Sequence, residues 1–267
     1  SSTDRIERGQ VNRLRATLGT SRSAFQEGDA LPAGWHWIYF LDAPGMDELG
    51  RDGHAALGDF LPPVALPQRM WAGTRLRFHS PIRLGEEIKR VSEVADVVRK
   101  SGRSGELCFV TVRHSYYFDS ELRLEEDHTI VYRGDRSPDE RREPPAAESS
   151  SDDSIVVTPS TTLLFRYSAL TFNGHRIHYD LDFCTDVEGY PGLVVHAPLI
   201  ATMMLGLAEK HFADRNVTFR EFTQRSVSPL FHYEPFSIHL REGEQSCELW
   251  AASSTGRVAA TATIQLA

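Results

Sequence analysis

The sequence predicts an α+β protein made of two strand-rich units lying side by side, each with one early helical segment. Three observations carry this. Val258, Ala260, Ala262, Ile264 and Leu266 alternate with small or polar partners, the two-residue period of a strand with one buried face. Cys108, Val110, Val112, Tyr116 and Phe118 show the same period earlier, interrupted at His114. Between the two sets, Asp135 to Ser154 is rich in Pro, Ser and charge, with only two alanines to anchor a core, and reads as a linker. The expected division is an N-terminal unit at 1–134, a linker at 135–154 and a C-terminal unit at 155–267.

Along the chain, Trp35–Phe40 is followed by a Pro- and Gly-rich stretch from Asp42 to Gly73 that includes Phe60, Pro62, Pro63 and Trp71. An irregular segment of that length is usually functional or disordered, and its aromatic content favours an ordered wall. Strands are expected at 74–80, 86–99, 122–133, 217–227, 235–241 and 246–252, joined by turns such as Arg241–Gly243. A further strand is expected to end near Leu170. The stretch Pro198 to Phe212 is apolar nearly all round until Glu209 and Lys210, which predicts a buried helix with Pro198 at its first position.

Composition excludes several classes. A chain of 267 residues, 40% hydrophobic and 10% aromatic, buries a core. A net charge of −8, with basic residues scattered among acids, argues against nucleic-acid binding. No apolar run is long enough to span a membrane and the N-terminal residues hold no hydrophobic signal core, so a cytoplasmic protein is expected. Three widely spaced cysteines, Cys108, Cys184 and Cys247, fit a reducing compartment, and Cys184 reads as packing.

The most informative segment runs from Tyr167 to Asp180, Tyr-Ser-Ala-Leu-Thr-Phe-Asn-Gly-His-Arg-Ile-His-Tyr-Asp, followed by Tyr190-Pro-Gly-Leu-Val-Val-His-Ala-Pro198. It places Asn173 and His178 five positions apart in a turn, then a helix start whose free amides, that of Ala197 above all, polarise a carbonyl. This block resembles the MaoC-like (hydratase 2) family of hotdog-fold enoyl-thioester hydratases, whose motif has an Asp, an Asn-Pro pair two positions on, a His, and later a Val-His-Gly opening a central helix. His178 falls on the catalytic His, Asn173 on the catalytic Asp, His175-Arg176 on Asn-Pro, and Val195-His196-Ala197 on Val-His-Gly. Phe40–Pro44, Glu48–Gly50, Phe60–Val64 and Arg69–Gly73 are similar to one branch, the mitochondrial-type 3-hydroxyacyl-thioester dehydratases and the 3-methylfumaryl-CoA (mesaconyl-C4-CoA) and itaconyl-CoA hydratases.

The resemblance implies a double hotdog, two antiparallel sheets each wrapping a central helix, with a catalytic C-terminal unit. It implies a hydro-lyase that adds water to an α,β-unsaturated acyl-CoA, with no cofactor or metal and in a homodimer. The expected substrate is a C5 dicarboxyl-CoA giving citramalyl-CoA; a fatty-acid-type 3-hydroxyacyl-thioester dehydratase and a non-catalytic acyl-CoA-binding protein are the alternatives. The expected catalytic residues are His178 as base, Asn173 holding water, and the Ala197 amide. Expected substrate contacts are Arg176, through a second carboxylate or else paired with Asp180 or Asp182, and His175, His196, Gly192 and Trp71, the last on the wall of the acyl channel. Asn in place of Asp removes a proton carrier, because an amide orients water without taking its proton. His175, His178 and Asp180 form a conceivable metal cluster, with spacing unlike a zinc pattern. The turn offers no carboxylate for a thioesterase.

Overall fold

The computed structural model describes residues 1–20, 22–58, 60–102, 105–134 and 143–267. Among the described residues, ten strands form one continuous antiparallel sheet in the order β1-β3-β4-β5-β2-β7-β10-β9-β8-β6. The N-terminal half contributes β1 (Ser2–Arg5), α1 (Arg8–Leu18), β2 (Gln68–Phe78), β3 (Glu87–Gly102), β4 (Gly105–Phe118) and β5 (Glu121–Arg133). The C-terminal half contributes β6 (Asp153–Val157), α2 (Thr161–Leu170), α3 (Ala197–His211), β7 (Phe219–Ser226), β8 (Phe236–Glu242), β9 (Ser246–Ser253) and β10 (Val258–Leu266). Each half orders its five strands first, third, fourth, fifth, second, so the topology repeats where the sequence does not.

The seam is the antiparallel pair β2 and β7, in register from Gly73 opposite Arg225 to Arg77 opposite Glu221. A Cβ at Gly73 would lie 2.2 Å from the Gln224 carbonyl oxygen, so only glycine allows the two halves to meet there. The C-terminal sheet wraps α3, which buries Leu199, Ile200, Met204, Leu205 and Leu207 against β8, β9 and β6 and reaches β2. Burying each such side chain stabilises the fold by roughly 2 kcal/mol. In the N-terminal half a 3-10 turn, Trp35–Ile38, meets β5 at Glu126 and β4 at Tyr116 through His36 and Trp37, and its Gly34 start abuts Leu205 of α3.

Two segments depart from the expectations. The strand expected to end at Leu170 is the helix α2. Its Thr, Phe and Tyr residues favour a strand, but the Ser160 hydroxyl caps the Leu163 amide at 3.1 Å and Leu164, Tyr167 and Ser168 are buried at helical spacing. The helix α3 starts one residue early, with Ala197 first and Pro198 second. Of the expected linker, residues 135–142 lie outside the described residues. Pro145 and Ala147 hydrogen-bond to Val258 and Gly256, and Asp153 opens β6, so the rest of it is laid onto the C-terminal sheet. Among the described residues no helix is long and apolar enough to cross a membrane.

Candidate active site

The turn that holds Asn173 and His178 is set by how α2 ends. The Asn173 amide donates to the Ser168 carbonyl at 2.8 Å and the Phe172 amide to that of Ala169, a Schellman pattern that forces Phe172 to φ 48°. A left-handed phenylalanine costs about 1–2 kcal/mol, a strain held at the entrance to the turn. The Asn173 side-chain oxygen Oδ1 then accepts the His175 amide at 2.9 Å, closing an Asx turn ahead of the buried Ile177 and His178. Asn173 therefore has its oxygen engaged by the backbone, and its NH2 group is the part left to hold a water.

His178 is buried at 7% exposure. Its Nδ1 lies 2.7 Å from the Val194 carbonyl oxygen. A carbonyl only accepts, so Nδ1 carries the hydrogen and Nε2 keeps its lone pair. Burial pushes the imidazole down to about 4, against a weaker opposing effect of the Val194 bond. The Val194 amide returns a bond to Ile177 at 3.0 Å, so the segment leading into α3 lies against the turn. His196, the N-cap of α3, stacks on His178 with ring centres 3.6 Å apart and 18° between planes. Its Nε2 meets the Ser168 hydroxyl at 2.8 Å, its Nδ1 is buried without a partner, and burial followed by the neighbouring His178 and His175 holds its pKa well below the ordinary value. Ala197 follows directly as the first residue of α3, so its amide has no acceptor within the helix.

Loop residues of the N-terminal half complete the surroundings. Arg51, Asp52, Ala55, Leu57, Leu66 and Arg69 line a cleft of about 300 Å³, the low end of the range for ligand pockets. Asp52, Gln68 and Arg69 also line a hollow of about 10 Å³ that His175 and Glu188 close from the other side. His175 sits 5.4 Å from His178, ring to ring, and burial, reinforced by His178, lowers its pKa to about 3.

The other expected contacts fall elsewhere. Arg176 donates from Nε and Nη2 to Asp180 at 2.9 and 2.8 Å and from Nη1 to the Arg51 carbonyl, with its plane over Phe183. Its fork is thus occupied within the protein. Gly192 is packed so close under Tyr233 that a Cβ would lie 2.7 Å from that ring. Trp71 belongs to an aromatic group with Trp37 and His128 on the N-terminal sheet, apart from the cleft. Asp180, engaged by Arg176 and the Phe183 amide, is turned from the histidines, so His175, His178 and Asp180 form no ligand set. Asp52, His54 and His175 do come together, their potential ligand atoms within 4.8 Å of one another. Sequence reasoning missed Asp52 and His54. The one signal was their place in the Asp42–Gly73 stretch, since nothing in spacing links residue 52 to residue 175.

The chain matches the family described as hydroxyacyl-thioester dehydratase type 2 over residues 34–232. It is 41% identical over 264 residues to a mesaconyl-C(4)-CoA hydratase of Chloroflexus aurantiacus, covering 98% of this chain and 93% of that one. It is 29% identical over 267 residues to the mitochondrial hydroxyacyl-thioester dehydratase type 2 of Schizosaccharomyces pombe, covering 90% and 89%. Among solved structures, HtdX of Mycobacterium tuberculosis superposes with a TM-score of 0.70 over 99% of both chains at 15% identity, a likeness of fold alone. The fold is the double hotdog, two sheets joined through β2 and β7.

Proposed function

Because the chain belongs to the hydroxyacyl-thioester dehydratase type 2 family of MaoC-like hotdog proteins, we propose that it uses His178 to add water to a branched C5 dicarboxyl-CoA, mesaconyl-C4-CoA or itaconyl-CoA, giving citramalyl-CoA. The coarser activity, a hydro-lyase acting on acyl-CoA thioesters, follows from that membership.

The observation that carries the role of His178 is its tautomer. With Nδ1 pinned to Val194, Nε2 is a free base in a buried ring, neutral at working pH. Nε2 takes a proton from a water steadied by the Asn173 NH2 group. In mesaconyl-C4-CoA, whose alkene is conjugated with the thioester, the water oxygen bonds to the β-carbon and the alkene electrons move toward the thioester oxygen; itaconyl-CoA, whose alkene is one carbon further away, enters this step only after its double bond has shifted into conjugation. The Ala197 amide, at the positive end of α3, stabilises that charge. Protonation of the α-carbon completes the addition, and the reverse sequence is the dehydration. His196 holds the helix start against the base by stacking.

Arg51 and Arg69 line the cleft and Arg176 does not, so they are the cations placed to meet a second carboxylate, Arg69 by turning from the Asp52 carboxylate and the Ala55 carbonyl that it contacts and Arg51 from beside Glu188. The acyl chain would enter along the 50–57 and 64–67 wall. Cytoplasmic residence and a homodimer belong to the same reading, the dimer being checked by light scattering. The test is hydration of itaconyl-, mesaconyl-C4- and crotonyl-CoA by the intact chain, beside Arg69→Lys and Arg176→Lys. The reading expects preference for a dicarboxyl thioester, lost in Arg69→Lys and kept in Arg176→Lys. Faster turnover of crotonyl-CoA than of either dicarboxyl substrate would instead favour a fatty-acid-type dehydratase.

A further inference from the structure

Adding water to an enoyl thioester takes two proton transfers, one at the water and one at the α-carbon, and the 173–178 turn carries an amide where a second proton carrier would stand. The structure brings a carboxylate and another imidazole to that turn from the N-terminal half. The Arg176 amide donates to the Asp52 carbonyl at 2.9 Å and Arg176 Nη1 to the Arg51 carbonyl at 3.1 Å. Gly53 and Gly174 face each other so closely that a Cβ on either would lie 2.0 or 2.5 Å from the other's carbonyl oxygen. Two glycines make this contact possible, and it delivers Asp52 and His54 to His175.

There the two side chains form a defined pair. Asp52 Oδ1 accepts the His54 amide at 3.1 Å, and Oδ2 lies 2.9 Å from His54 Nδ1. A carboxylate accepts, so Nδ1 carries the hydrogen and Nε2 is the atom left to exchange a proton. The His54 ring lies 4.3 Å from that of His175, which in turn neighbours His178. Asp52 lines both the 300 Å³ cleft and the hollow reaching His175, the junction between ligand space and catalytic turn. The His54 side chain is 27% exposed, open enough to reload from solvent between turnovers.

Resting on the hydratase reading above, we propose that Asp52 and His54 are the second acid–base pair of this site, with His54 exchanging the proton at the α-carbon while His178 handles the water. Asp52 fixes the His54 tautomer and stabilises its charged form, as a carboxylate behind a catalytic imidazole does. In hydration, water gives one proton to His178 and its oxygen bonds to the β-carbon. The alkene electron pair shifts toward the thioester oxygen and returns to take a proton from His54 at the α-carbon. His54 recovers a proton and His178 releases one to solvent, so a hydrogen and a hydroxyl are added and nothing is oxidised. The site is then shared between halves, with a carboxylate at 52 standing behind the second imidazole. Asp52, His54 and His175 also resemble a two-histidine, one-carboxylate metal set. Against that, Arg69 Nε stands 3.5 Å from Asp52 Oδ2, and that oxygen already accepts from His54.

The test uses the full chain with crotonyl-CoA and mesaconyl-C4-CoA, measuring kcat, KM and melting temperature for wild type, Asp52→Asn, Asp52→Glu, His54→Gln and His54→Gly. Asp52→Asn keeps the backbone carbonyl that docks the loop, so it removes charge without undoing the contact. Expected are kcat losses of about 100-fold or more in Asp52→Asn and His54→Gln with little change in KM or melting. Added imidazole should restore part of the His54→Gly rate, and Asp52→Glu part of the rate lost in Asp52→Asn. The proposal is overturned by a His54→Gln enzyme that keeps its kcat, by an intact His54→Gly enzyme that imidazole leaves unimproved, or by wild-type activity that a chelator abolishes and zinc restores. A wild-type chain that hydrates neither thioester would instead remove the hydratase reading itself.

Discussion

Glu126 in the N-terminal half and His178 in the C-terminal half are both buried polar groups, 2% and 7% exposed, yet the chain treats them differently. Glu126 receives four donors, His36 Nε2 at 3.1 Å, Trp37 Nε1 at 2.9 Å, Thr74 Oγ1 at 3.0 Å and the Tyr116 hydroxyl at 3.3 Å. Burial alone would raise its pKa, but the His36 hydrogen bond and the surrounding histidines overcome this and hold it well below the usual carboxylate range. His178 has one bond at Nδ1, an unengaged Nε2, and a neighbour, His196, with a buried nitrogen that has no partner. A saturated charge is a structural fastening, since every lone pair is spoken for and no ligand can compete. Imidazoles kept neutral and short of partners, with His178 one ring away from the His175 that lines the small hollow, are poised for chemistry. Topologically equivalent halves thus hold buried centres of opposite kind, one sealed at Glu126 and one left reactive at His178.

The sharpest way to break this contrast is to replace each centre in turn. His178→Gln should lower the hydration rate by roughly 10²–10⁴-fold with melting nearly unchanged, read by enoyl-thioester consumption beside a thermal scan. Glu126→Ala should do the reverse, costing about 3–5 kcal/mol by leaving His36 and Trp37 without their acceptor, and lowering the melting temperature by about 10 °C. A Glu126→Ala protein with wild-type melting would remove the structural reading of that cluster.

Acid should expose the same contrast as a change in stability. The folded-state pKa of His178 lies near 4 and that of an unfolded histidine near 6.5, so above 6.5 the ring is neutral in both states and its contribution to stability is full. Between 6.5 and 4 the unfolded chain binds a proton the folded one refuses, and stability falls by about 1.4 kcal/mol per pH unit for this histidine. His175 adds to the same slope. Glu126 adds a loss only as the pH falls below the ordinary carboxyl value of 4.5. Melting measured from pH 8 to 4 should be level at first and decline from about 6.5, less steeply in His178→Gln. The smallest expected effect is that of Ser168→Ala, which removes the bond to His196 and costs about 1 kcal/mol, with a modest loss of activity as the stacked ring loosens.

Much of this architecture was legible in the sequence because period and local chemistry agreed. The alternation at 258–266 and 108–118 became β10 and β4, and the apolar run after Pro198 became α3. The short β1 and β6 were not legible, since strands of four and five residues at sheet edges carry too little pattern. The helix α2 was misread because residue preferences at Thr161–Tyr167 favour a strand and lose to a serine cap and a helical buried stripe. At the site, the placement of His178 beside the start of α3 follows from turn and helix signals close together in sequence. Asp52 and His54 could not be anticipated, because two glycines more than a hundred residues apart bring them to the turn. The Arg176 ion pair with Asp180 is local, at i and i+4, and was visible as one of two readings of that arginine.

The central physical claim is that His178 stands in the folded protein as a neutral imidazole with its hydrogen on Nδ1 and its lone pair on Nε2. Nitrogen-15 NMR of the histidine rings, with His178 identified by its absence in His178→Gln, tests this directly across pH 8 to 5. A protonated Nδ1 and an unprotonated Nε2 are expected throughout that range. A ring that becomes doubly protonated near 6.5, or that carries its hydrogen on Nε2, would contradict it.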